Sequence, residues 1–176
     1  MDIRARDVMS RDPTTVRPDT PVEELIHLFR VSHYSGLPVV NEAGHAVGLI
    51  SETDILRALA YAIAPPGSGE FKVAFAKGRL GVTQRLLDAA AGREGVEALA
   101  VMRELLTRTV GELMSPVVHT CHEGDSLAAV CEMLVWKEIH RVVVVDEQQR
   151  VVGLVTSLDA VRVFGELLRE KEKGGA

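Results

Sequence analysis

Two kinds of spacing alternate along the chain. Val22, Leu25, Ile26, Leu28 and Phe29 recur at helical intervals, which predicts an amphipathic helix ending near Ser32. Thr20-Pro21-Val22-Glu23 has the form of a capping box with proline at the first helical position. Gly36 to Val40 and residues 47–50 are short apolar runs separated by Glu42-Ala43-Gly44, and they predict two buried strands joined by a turn. Ser51-Glu52-Thr53-Asp54 then caps a second helix carrying Ile55, Leu56 and Leu59. With a short extended piece over 14–17, the order is strand, helix, strand, strand, helix.

The same order returns later. A shift of 105 residues carries Met9-Ser10 onto Met114-Ser115, Val39-Val40 onto Val144-Val145, Val47-Gly48-Leu49 onto Val152-Gly153-Leu154, and Asp54 onto Asp159, without a gap. Conservative pairs such as Asn41/Asp146 and Ser51/Thr156 fill the intervals. Two copies of one supersecondary unit are therefore present. In the second copy the expected elements are a strand near Cys121, a helix over 127–137, strands over 142–145 and 151–155, and a helix from Ser157 to about Lys171. Neither copy buries much core alone, so the two are expected to pack as one body. The predicted organisation is repeat one over 1–59, a linker with a helical insertion over 60–108, repeat two over 109–168, and a flexible tail over 169–176. Within the insertion, Pro65-Pro66-Gly67 breaks regular structure, one helical pattern starts at Gly81, and another runs from Val96 to about Thr107.

Bulk properties narrow the class without naming a chemistry. The 176 residues are 47% hydrophobic and 26% charged, ordinary for a globular protein. A net charge of −5 argues against a nucleic-acid surface. No apolar run approaches the ~20 residues that span a bilayer. The first residues lack the apolar core of a signal peptide, and two cysteines make no disulfide framework, so a cytoplasmic location is expected.

Certain motifs carry a family resemblance. Asp7-Val8-Met9-Ser10 and Glu112-Leu113-Met114-Ser115 open the copies, and Gly48-x-x-Ser51-x-x-Asp54 and Gly153-x-x-Thr156-x-x-Asp159 close them. Together with Leu37-Pro38-Val39-Val40 and the run 142–146, these resemble paired CBS domains, a Bateman module of the stand-alone bacterial or archaeal type. The resemblance implies an α/β (α+β) fold of two tandem β-α-β-β-α repeats, and a regulatory, non-catalytic module that binds AMP, ADP or ATP. It implies that Asp54 and Asp159 take ribose hydroxyls, with Ser51 and Thr156 near phosphate. Thr15, Val16, Leu37 and Pro38 in the first copy, and Thr120, Cys121, Val142 and Val143 in the second, would wall the adenine. His140-Arg141 resembles the His-Arg that handles phosphate in the regulatory subunit of the AMP-sensing kinase, and Arg suits phosphate through its planar fork. The first copy departs, holding Ser35-Gly36 at those positions, so either it lacks a phosphate site or the two clefts are unequal. A homodimer through helix faces is implied as well, an effector protein is a further candidate partner, and no cofactor beyond the regulatory nucleotide is expected.

Plainer readings stand beside these. Asp54 and Asp159 occupy the third helical position, where a carboxylate closes a cap with no ligand at all. Arg57 and Arg162 are placed to form i,i+3 pairs with them. His119, Cys121, His122, Cys131 and His140 match no compact metal-ligand spacing, and no metal is expected. Two other functions fit the same residues: a ligand-free dimerisation scaffold, and a binder of S-adenosylmethionine, whose adenosine half would be read identically.

Overall fold

The computed structural model of the protein describes residues 2–32, 34–63 and 95–174; the helical pattern expected from Gly81 lies outside these residues. The fold is mixed α/β. In chain order the elements are α1 (Ala5–Val8), β1 (Ser10–Arg11), α2 (Val22–Ser32), β2 (Gly36–Val40), β3 (Ala46–Ser51) and α3 (Glu52–Ile63). After the insertion come α4 (Gly95–Thr107), α5 (Val110–Leu113), β4 (Thr120–His122), α6 (Leu127–Trp136), β5 (Arg141–Val145), β6 (Val151–Thr156) and α7 (Ser157–Gly174). Helix α7 includes residues 169–174 of the expected tail. The i,i+3 spacing of Glu166 with Arg169 and of Glu170 with Lys173 places opposite charges side by side along those turns.

The expected extended piece over 14–17 is reduced to a single bridging residue, Val16, whereas its counterpart forms β4. Helix α2 starts at Val22, one residue after the expected start. The Thr20 hydroxyl accepts from the Arg17 N–H at 3.1 Å, which makes it part of the preceding turn.

The contacts divide the chain into two compact units. Unit one comprises Met1–Thr15, Pro38–Leu49 and Pro116–Ala176; unit two comprises Val16–Leu37 and Ile50–Ser115. Unit one carries a sheet in the order β1-β6-β5-β4, with β4 parallel to β5 and the other pairs antiparallel. Its core gathers Ala5, Val8 and Met9 from the opening segment with Val130, Val142, Val144, Val155 and Val163. Strand β5 is buried along 142–145, as a continuous valine run requires. At the β1–β6 contact, a Cβ added to Gly153 would overlap the Met9 sulfur and crowd Val144. In unit two, Val22, Leu25 and Phe29 of α2 are buried, as are Ile50, Leu105 and Val110. Separately, β2 and β3 form a two-stranded sheet.

Each unit takes its opening segment from the other copy. In unit two the Val110 N–H donates to the Thr20 carbonyl at 2.9 Å and the Gly111 N–H to the Pro18 carbonyl at 2.7 Å. In unit one the corresponding bonds run from Ala5 to the Asp125 carbonyl at 2.9 Å and from Arg6 to the Glu123 carbonyl at 3.1 Å. These segments form the short helices α1 and α5, each closed by a carboxylate: the Arg4 N–H donates to Asp7 at 2.8 Å and the Thr109 N–H to Glu112 at 2.7 Å. Those bonds also hold the Glu112 carboxyl below its ordinary range, the Thr109 N–H being the largest cause.

The β-turns repeat as well. Asn41 accepts at its side-chain oxygen from the Ala43 and His45 N–H groups, both at 3.0 Å, and Asp146 does so from Gln148 at 2.9 Å and Arg150 at 2.8 Å. Such Asx turns close tightly by bringing a residue into the left-handed region. Gly44 takes φ 82° there, and Gln149 takes φ 63° at the matching place.

Candidate functional site

In unit one the second copy's candidate residues lie on three adjacent strands and the helix they lead into. Thr120 and Cys121 on β4 stand opposite Val143 and Val144 on β5, so the residues expected to wall an adenine share one edge of the sheet. Val142 and Val143 are fully buried, Cys121 is buried and Thr120 is exposed. Burial pushes the Cys121 thiol up to about 11, with the negative charge of Asp125 adding to it, so this cysteine is a neutral packing group at physiological pH.

The expected phosphate residues meet at the start of β5 and the end of β6, next to Val142 and Val143. Arg141 at the start of β5 pairs in register with Thr156 at the end of β6, and the Ser157 N–H, the first of α7, donates to the His140 carbonyl at 3.0 Å. His140, Arg141 and Thr156 thus surround the N-terminus of an 18-residue helix. Basic side chains and a positive helix end favour an anion.

Asp159 belongs to that helix start and is engaged. Its Oδ2 accepts from the Thr156 N–H at 2.9 Å and from the Thr156 hydroxyl at 2.7 Å, and the Asp159 N–H donates back to the hydroxyl at 3.3 Å. Its Oδ1 pairs with Arg162 at 3.2 Å. The same Arg162 Nη2 donates to the Val8 carbonyl at 3.5 Å, linking the closing aspartate to the opening helix α1. Asp54 repeats the pattern in unit two: Oδ2 accepts from the Ser51 N–H at 2.9 Å and hydroxyl at 2.6 Å, and Oδ1 pairs with Arg57 at 2.8 Å. The capping and i,i+3 arrangement is thus present in both copies. A carboxylate offers about four lone-pair sites, so such a cap leaves acceptor capacity for a hydroxyl.

The first copy's candidates are divided. Val16, Leu37, Ser51 and Asp54 belong to unit two, whereas Thr15 and Pro38 belong to unit one. Unit two holds a cleft of ≈ 420 Å³ beside Asp54, lined also by Arg57, Tyr61, Arg108 and Glu112. Arg108, Tyr61 and Glu112 were not expected at a site. The pattern Thr109-x-x-Glu112 signals the cap of α5, but nothing local signals that α5 comes to rest beside α3. Among the described residues, no three His, Cys, Asp or Glu side chains gather as a metal site, and no helix is long and apolar enough to cross a membrane.

Comparison with known proteins agrees with this architecture. The model of the CBS domain matches residues 5–61 and 110–166. The chain is 25% identical over 193 residues to an uncharacterized protein of Methanocaldococcus jannaschii, covering 90% of this chain and 69% of that one. It is 29% identical over 154 residues to the gamma-3 subunit of human 5'-AMP-activated protein kinase, covering 88% of this chain but only 25% of that subunit. Among solved structures, that of CBSX2 of Arabidopsis thaliana in complex with AMP superposes with a TM-score of 0.64 at 19% identity, covering 94% of this chain and 98% of that one. The CBS domain pair of protein MJ0100, in complex with 5'-methylthioadenosine and S-adenosyl-L-methionine, gives 0.62 at 24%, with the same coverage. With two matched segments in register with its internal repeat, the chain belongs to the CBS domain family as a tandem pair.

Proposed function

We propose that the chain is a regulatory module that binds an adenine nucleotide, AMP, ADP or ATP, and carries out no catalysis. The observation that supports this most directly is the meeting of His140, Arg141 and Thr156 at the N-terminus of α7, one turn from Asp159. In this reading the guanidinium and imidazole take the phosphates, Asp159 takes the ribose hydroxyls, and Thr120, Cys121, Val142 and Val143 form the adenine wall. Ser51 and Asp54 take the phosphate and ribose parts in the first copy, with Val16 and Leu37 at the base. The AMP complex of CBSX2 and the kinase gamma-3 relative support the choice of nucleotide.

A route for the signal lies in Arg162, which holds both Asp159 and the Val8 carbonyl. A ribose that engages Asp159 competes for the carboxylate and changes the hold on α1, so binding shifts the packing of the opening helix. A second copy of the chain is the proposed receiver. Helix α7 exposes Leu158, Val161, Phe164 and Leu168 at helical spacing, an apolar face that a second copy would cover about a twofold axis.

Calorimetric titration with AMP, ADP, ATP and adenosine tests the assignment. Asp159→Ala is expected to cost about 1–3 kcal/mol of nucleotide affinity through lost ribose hydrogen bonds, and Arg141→Ala to weaken ATP far more than adenosine. Absence of binding below millimolar concentration overturns the reading in favour of a scaffold. The bound S-adenosyl-L-methionine of the MJ0100 pair supports a second reading. That ligand has no phosphate, so tight binding of it that survives Arg141→Ala would select it.

A further inference from the structure

The two copies differ where the first one has its cleft. Under the 105-residue shift, Ala58, Ala62 and Arg108 correspond to Val163, Leu167 and Ile3. In unit one those three are packing residues: Val163 is in the hydrophobic core, and Ile3 and Leu167 pack against it. In unit two the same positions hold two methyl side chains and a guanidinium, and the cleft of ≈ 420 Å³ occupies the place that the larger side chains fill in the other copy. That volume lies within the range of small-ligand sites. Exchanging apolar filler for alanine gives up packing energy, and the arginine returns little of it through its own ion pair. Arg108 meets Glu112 at 3.6 Å, beyond the length of a charge-assisted hydrogen bond. Opposite stands Arg57, bound to Asp54.

We infer that this cleft is the anion seat of the first copy, where Arg57 and Arg108 hold the phosphate of the nucleotide whose ribose Asp54 takes. It rests on the adenosine reading of Asp54, and it supplies what Ser35-Gly36 lacks: the second copy uses His140 and Arg141, the first uses two arginines from α3 and the approach to α5. A phosphate dianion carries more charge than either carboxylate and presents oxygens that match the guanidinium fork, so it displaces Glu112 from Arg108 and shares Arg57 with Asp54. The two clefts then differ in the geometry of their phosphate contacts, which makes their preferences among mono-, di- and triphosphates unequal.

The test uses the full chain carrying His140→Ala and Arg141→Ala, so that phosphate-dependent binding reports the first copy. Arg108→Ile and the pair Ala58→Val with Ala62→Leu install the second copy's own residues, which pack there without strain. AMP, adenosine and inorganic phosphate are the probes, read by calorimetry and by the shift in Tm. Arg108→Ile is expected to weaken AMP about tenfold while changing adenosine less than about twofold, and the filled cleft to lose AMP while keeping or raising Tm. Equal losses of AMP and adenosine, or no loss of either, overturn the inference. If the parent binds no adenosine compound, phosphate decides: a rise in Tm with phosphate that Arg108→Ile removes keeps the anion seat and discards the nucleotide, and an unchanged response to phosphate overturns the seat itself.

Discussion

The Val22 amide donates to the Arg108 carbonyl over 2.9 Å, joining the start of the first copy's helix to the segment that opens the second. Its counterpart, from Leu127 to the Ile3 carbonyl, has the same length. Each copy is therefore completed by the other's opening segment, and the exchange brings Arg108 and Glu112 to the cleft beside Asp54.

The docking of α5 depends on a close backbone approach. A Cβ on Gly111 would stand 3.0 Å from the Pro18 carbonyl oxygen and 3.2 Å from the Pro18 Cβ. Gly111→Ala is expected to destabilise the fold by about 1–3 kcal/mol through overpacking. Arg6, at the matching place in the other copy, already carries a side chain over a longer bond, so Arg6→Ala should change stability by less than about 0.5 kcal/mol. Urea unfolding of the two variants checks the contrast.

The closing aspartates are caps before they are ligand groups. Asp159→Ala removes the acceptor of the Thr156 N–H and hydroxyl, and the ligand-free protein should lose about 1 kcal/mol. Asp54→Ala should lose a similar amount. Thermal unfolding without nucleotide measures this cost, which must be subtracted before any loss of affinity is read as a ribose contact.

Cys121 makes stability fall at alkaline pH. Its thiol is held at about 11 in the fold against an ordinary value of 9.0. The neutral thiol is favoured in the folded state, so its contribution is intact below about 9, fades as the pH rises to about 11 and is constant above. The loss amounts to about 2–3 kcal/mol. Cys121→Ala should flatten the difference between unfolding measured at pH 8 and at pH 10.5; an unchanged slope would remove Cys121 as the cause.

Pairing of two chains through α7 predicts a single sensitive position. Phe164 is 61% exposed, and glutamate there places a charge at the proposed twofold contact. Sedimentation equilibrium is expected to give the dimer mass for the wild type and the monomer mass for Phe164→Glu. A wild type that sediments as a monomer would rule the pairing out.

The sequence alone determined the local elements and their duplication. Valine runs of strand length, Ser51 and Thr156 before a carboxylate three residues on, and the unbroken 105-residue register all act through short-range propensity and capping, which do not depend on distant partners. The same register exposed the unequal pair His140-Arg141 and Ser35-Gly36. The strand expected over 14–17 depended on its neighbours and came out as one bridging residue. Only the tertiary structure decided that α1 joins the second copy and α5 the first, because that exchange rests on hydrogen bonds and buried contacts between residues about a hundred positions apart. It also decided the cleft: Ala58, Ala62 and Arg108 are unremarkable in the sequence, and line one cavity with two guanidinium groups only when α5 packs beside α3.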